Sequence, residues 1–71
     1  MQRYRITITP RTGNLVSFRT DKFEDGHWKL FDICIIDTQL ASSTLVYEME
    51  QVKNGRYELE IVDNREKFVM V

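Results

Sequence analysis

Residues 38–55, TQLASSTLVYEMEQVKNG, decide the fold, because they read two ways. As a strand, Leu45, Tyr47 and Met49 alternate with Val46, Glu48 and Glu50, the period of two that a sheet requires. As a helix, Ala41, Leu45, Met49 and Val52 line one stripe at spacings of four, four and three. Asn54-Gly55 ends either element, as a helix C-cap or inside a hairpin turn. A three-residue loop Lys53-Asn54-Gly55 would place Met49 opposite Leu59 and Tyr47 opposite Ile61, so the apolar faces match. The same register sets Glu50 against Glu58 and Glu48 against Glu60. Like charges directly opposite are unfavourable, so the hairpin needs cations close by.

The N-terminal segment offers those cations. Residues 1–20 hold Arg3, Arg5, Arg11 and Arg19 and no acid, a charge of +4, against −3 over 21–37 and −2 over 38–71. With that compensation the strand is the preferred reading of 38–53. The chain is then expected to be mainly β, a small antiparallel sheet or barrel of five to six strands. The alternative is α+β, with one helix near residues 38–53.

The flanking segments are plainer. Tyr4, Ile6 and Ile8 alternate with Arg3, Arg5, Thr7 and Thr9, as in a half-buried strand. Pro10 ends that strand for want of an N–H, and Pro10 to Asn14 reads as a turn around Gly13. From Leu15 to Thr20 the alternation resumes, with Val16 and Phe18 on one face, which makes a hairpin. Asp21 to Gly26 reads as a polar loop. From His27 to Asp37 the pattern is apolar on both sides, Trp28, Leu30, Cys34 and Ile36 against Phe31, Ile33 and Ile35. Such a strand is covered twice or lies at a subunit contact. Arg56 to Asp63 alternates with Tyr57, Leu59 and Ile61 inward, 63–66 reads as a turn, and 67–71 as a last strand. The expected core is Ile6, Ile8, Phe18, Trp28, Ile33, Ile35, Leu59 and Ile61.

Seventy-one residues suffice for a single small globular domain, 1–71. So short a chain buries only about 60% of its unfolded surface. Its single cysteine cannot form an internal disulfide, and one Cys with one His makes a structural zinc site a poor reading. Tight packing or oligomerisation remain as sources of stability. The longest apolar run, Ile33 to Ile36, falls far short of a membrane span. The alternating start is unlike a secretory leader. A cytoplasmic, complete small protein is the expectation, with no membrane partner.

Motifs for chemistry are weak. His27 stands beside a polar stretch with no nucleophile or acid at motif spacing, so a turn histidine is the preferred reading over a general base. Cys34 among isoleucines reads as an inert thiol, since a reactive one needs an electropositive, exposed setting. Asp32 reads as a solvated carboxylate paired with an arginine. Asp21, Glu24 and Asp25 lack calcium-loop spacing. The hydroxyls of Ser42-Ser43-Thr44 suit capping, and Gly13 makes no phosphate loop.

These features point to a protein that is not an enzyme and needs no cofactor. The expected function is a protein–protein interaction module, an accessory subunit or small inhibitor of the phage or mobile-element kind, the last on size alone. A homo-oligomer with a further protein partner is expected. The residues assigned to partner binding are Arg3, Arg5, Arg11, Arg19, Phe68 and Met70. The alternative is a small β protein that binds nucleic acid through its arginine-rich N-terminal hairpin.

Overall fold

A computed structural model describes residues 1–65. The turn expected at 63–66 lies partly, and the strand at 67–71, with Phe68 and Met70, wholly outside the described residues. The element order is β1 (Arg3–Pro10), β2 (Leu15–Glu24), β3 (His27–Asp37), α1 (Thr38–Lys53) and β4 (Glu58–Asp63). The chain is mainly β, and the deciding stretch is the helix of the α+β alternative.

The helix is fixed at both ends by local chemistry. Asp37 is its N-cap, and its carboxylate accepts the Gln39 N–H at 2.8 Å. At the other end Gly55, at φ 76°, donates to the Val52 carbonyl, and the Arg56 N–H reaches back to Gln51. These two bonds make a Schellman motif, which needs the left-handed residue that glycine supplies. The helix also separates Glu48 and Glu50 by about 200° around its axis, which removes the glutamate clash of the hairpin register. Ser42 and Thr44 do not cap. Ser42 accepts from Arg65, and the Thr44 hydroxyl donates to the Leu40 carbonyl one turn back.

The sheet has four strands in the order β3-β2-β1-β4. β1, β2 and β3 form an antiparallel meander, and β4 pairs parallel to β1. The sheet is therefore mixed and open, neither purely antiparallel nor a barrel. The parallel pair follows from the helix. A 16-residue helix rises about 24 Å and carries the chain from the end of β3 back to the end where β1 starts. The stretch expected as a loop at 21–26 is also strand. β2 runs on to Glu24, and only Asp25 and Gly26 turn, at φ 55° and 84°. Two positive φ values mark a type I′ hairpin.

One face of the sheet carries the core. Ile6, Ile8, Val16 and Phe18 are buried beneath Ala41 and Leu45 of the helix, with Cys34, Ile36, Leu59 and Ile61 packed around them. The other face has no helix, and this corrects part of the expected core. Ile33 and Ile35 are 51% and 47% exposed, and Trp28 is half-buried. A β-bulge explains the difference in β3. Thr20 pairs with Asp32 but Asp21 pairs with Leu30, so Phe31 is an extra residue. Beyond the bulge the alternation changes phase. Trp28, Leu30, Ile33 and Ile35 share the open face, and Phe31, Asp32, Cys34 and Ile36 share the helix face.

Arg65 ties β4 to the start of the helix. Its guanidinium meets both Asp63 carboxylate oxygens, at 2.9 and 2.6 Å, and donates to the Thr38 carbonyl and hydroxyl and to Ser42. The Arg65 hydrogen bond holds the Asp63 carboxyl below its ordinary value, against the opposing effect of burial. A depressed carboxyl contributes stability that is present above its unfolded pKa and lost as pH falls through the folded one. Arg65→Ala should cost about 1–2 kcal/mol at neutral pH. Urea unfolding of wild type and variant at neutral pH and well below pH 4 checks this (an ordinary Asp is near 3.9). The gap between them should narrow in acid.

Candidate functional site

Two surfaces gather the polar and aromatic side chains. The first is the open face of the sheet. Register sets Arg3 beside Glu58 and Arg5 beside Glu60 across the parallel pair, and Arg5 beside Asp21 across the hairpin. The arginines do not close ion pairs with those glutamates among the described residues. Instead the Arg5 guanidinium carbon lies 4.3 Å from the Trp28 ring centre, and that of Arg3 lies 5.4 Å from Phe23 and 5.7 Å from Trp28. Phe23 and Trp28 meet edge to face at 5.2 Å. Each cation–π contact of this exposed kind is worth about 0.5–1 kcal/mol. The two guanidinium groups therefore lie against the rings and not against the glutamates.

Arg19 has a different role. It holds Asp21, which is 4% exposed and the buried charged residue of the described chain. Its Nε donates to both carboxylate oxygens, at 3.1 and 3.2 Å, and its other terminus lies 3.1 Å away. Arg11 sits exposed in the β1–β2 turn, at the end of β1 opposite Arg3. The arginines expected to act together are thus divided between rings, a buried acid and a distant turn. Beside them runs an uncovered apolar row, Leu15, Leu30, Ile33 and Ile35, each between 45% and 55% exposed.

The second surface is a cleft of about 320 Å³ on the helix face, lined by Tyr4, Ile6, Phe18, Thr20, Phe31, Asp32, Glu48, Tyr57 and Leu59. The helix follows β3 and precedes β4, and Glu48 is the helix residue in the lining. Tyr4 is the middle ring, 5.6 Å from Phe31 and 5.4 Å from Tyr57, both edge to face. The Tyr57 hydroxyl donates to Glu48. Burial first, and then that bond, hold the Tyr57 hydroxyl well above the ordinary phenol range. Asp32 lies at the rim, exposed, and no arginine pairs with it among the described residues.

The glutamate ladder is also divided. Glu58 and Glu60 stand on the open face of β4, whereas Glu48 belongs to the cleft. Cys34 is half-buried on the helix face with its thiol toward the Phe18 carbonyl. His27 is exposed beside the Asp25-Gly26 turn. Among the described residues no helix is long and apolar enough to cross a membrane. Compared with family models, curated proteins and solved structures, the chain matches none.

The ring–arginine layer and the cleft were not anticipated. The layer had one legible signal. Asp25-Gly26 is a strong two-residue hairpin cue, and it aligns Phe23 with Trp28. The cleft depends on the bulge at Phe31, which sequence alternation does not mark.

Proposed function

We propose that this chain is a non-enzymatic protein–protein interaction module, acting as a small accessory subunit or inhibitor, and that its open sheet face docks a second copy of itself. The observation that supports this is the row Leu30, Ile33 and Ile35 standing half exposed on one face of an edge strand. A solvated sheet face ordinarily carries polar residues at those positions, and a contiguous exposed apolar patch marks an interaction site.

A second copy suits the chemistry of the face. A two-fold contact uses one patch twice, so the patch must complement itself. This face holds both signs in adjacent strands, Arg3 and Arg5 beside Glu58 and Glu60, with the apolar row toward the other edge. The bulge at Phe31 disfavours pairing along the edge of β3, so the contact is face to face. At roughly 50 μM, where a micromolar dimer is mostly assembled, sedimentation should give a dimer. Ile33→Glu with Ile35→Glu should give a monomer with unchanged circular dichroism. A strict monomer for the wild type overturns the self-association.

A nucleic-acid reading stands second, and one observation favours it. Phe23 and Trp28 share a face with Arg3 and Arg5, which joins stacking rings to phosphate-binding cations. Asp21, Glu58 and Glu60 on the same face oppose it. Binding of random oligonucleotides that weakens steeply with salt would move this reading ahead of the first.

A further inference from the structure

The cleft on the helix face combines four rings, those of Tyr4, Phe18, Phe31 and Tyr57, with two carboxylates and no basic lining residue. Tyr4 meets Phe31 at an interplanar angle of 65° and Tyr57 at 81°. Rings so steeply inclined to one another form the walls of a corner, not a stack. Aromatic faces carry negative quadrupole charge and attract cations, most strongly where water is excluded. The two acids add formal negative charge. Glu48 is held in place by the Tyr57 hydroxyl, and Asp32 stands free of any partner among the described residues. The nearest cations on this face do not serve the cleft. Lys22 pairs with Glu24, and Lys29 pairs with Glu24 and Asp25.

Phe31 points to a ligand by a separate route. In a regular strand neighbouring residues face opposite ways. The bulge sends both Phe31 and Asp32 to the helix face, a ring and a carboxylate side by side. Bulges re-aim side chains next to sites in this manner. If packing were the purpose, the ring would be covered. Phe31 is 61% exposed.

We infer that this cleft binds an alkylammonium cation, the group presented by a methylated lysine side chain or by a small quaternary amine. A volume near 320 Å³ is at the low end for ligand sites, which suits one such head group. The rings surround the cation, Asp32 and Glu48 balance its charge, and Thr20 lies at the wall.

The test compares choline with its neutral carbon isostere, 3,3-dimethyl-1-butanol, by NMR of the Tyr4, Phe31 and Tyr57 ring signals in the full chain. Choline should shift them saturably and bind roughly two- to fivefold more tightly than the isostere, as one exposed cation–π contact gives. Asp32→Asn should weaken choline by a similar factor, and Phe31→Ala should remove the shift. Both residues are exposed, so both variants should fold, and the wild-type comparison needs neither. A peptide with one trimethyllysine separates the sources. Binding about tenfold tighter than choline, or 1.4 kcal/mol, assigns the site to a protein lysine, and equal binding assigns it to a free amine. Equal affinity for choline and the isostere, or no saturable shift at roughly 50 mM, far above a millimolar dissociation constant, overturns the inference.

Discussion

Ile8→Ala is expected to destabilise the fold by about 2–5 kcal/mol, the usual cost of emptying a core site of this size. Ile8 is the largest fully buried side chain described, at 0% exposure. It lies mid-sheet, in register with Phe18 on β2 and Asp63 on β4, beneath the helix residues Ala41 and Leu45. Removing it opens a space that three elements line, and a sheet cannot collapse into such a space as a loop would. Natural domains hold about 0.05–0.15 kcal/mol per residue, so a chain of this length holds roughly 4–11 kcal/mol and the variant loses a large share of it. Urea unfolding followed by Trp28 fluorescence reads the loss. Ile33→Ala is the internal control. Ile33 is half exposed, so in the monomer it should cost under about 1 kcal/mol, in the range of surface changes. A loss at Ile33 that grows with protein concentration would locate it in the subunit contact. Equal losses at both sites in dilute monomer would show that the helix covers the other face.

The contrast between Ile8 and Ile33 shows where the sequence was legible. Alternation placed β1, β2 and β3, and the bounds of β3 agree with the expected His27 to Asp37. Ile6, Ile8 and Phe18 are buried as expected. Alternation states that a strand has two apolar faces; it does not state which face a single helix will cover. Nor does it register a bulge, because one unpaired residue changes the phase without any special residue type. The two readings of 38–53 were close because both satisfied the apolar pattern. In the folded chain, end chemistry separates them. Asp37 caps one end and Gly55 the other, and the opposed glutamates counted against the hairpin. Once the helix forms, β4 must return parallel to β1, and Arg3 and Arg5 fall beside Glu58 and Glu60. The charge segregation was therefore a correct clue to neighbours. It was a poor guide to contacts, since the guanidinium groups turn to Phe23 and Trp28. No pattern of period two brings Tyr4, Phe31 and Tyr57 together, because the three lie on different strands and one loop.

Arg19→Ala should cost about 2–3 kcal/mol, well above the loss for an ordinary surface arginine. The reason is its partner. Breaking a buried pair from one side costs more than the pair contributes, because the remaining charge is left without compensation. Asp21 is that charge, at 4% exposure, and the hydrogen bonds to its carboxylate among the described residues come from Arg19. The full 3–5 kcal/mol known for buried pairs is not expected, since the Arg19 side chain is 49% exposed and water can partly replace it. The double variant Arg19→Ala with Asp21→Thr separates charge burial from lost packing. It replaces the carboxylate by a neutral β-former and should recover more than half of the stability lost by Arg19→Ala alone. Denaturant unfolding of the two single variants, the double variant and the wild type gives the coupling energy directly. Near-additive losses would mean that Asp21 is solvated in solution and that the open face is wetter at its centre than the register of β1, β2 and β3 implies.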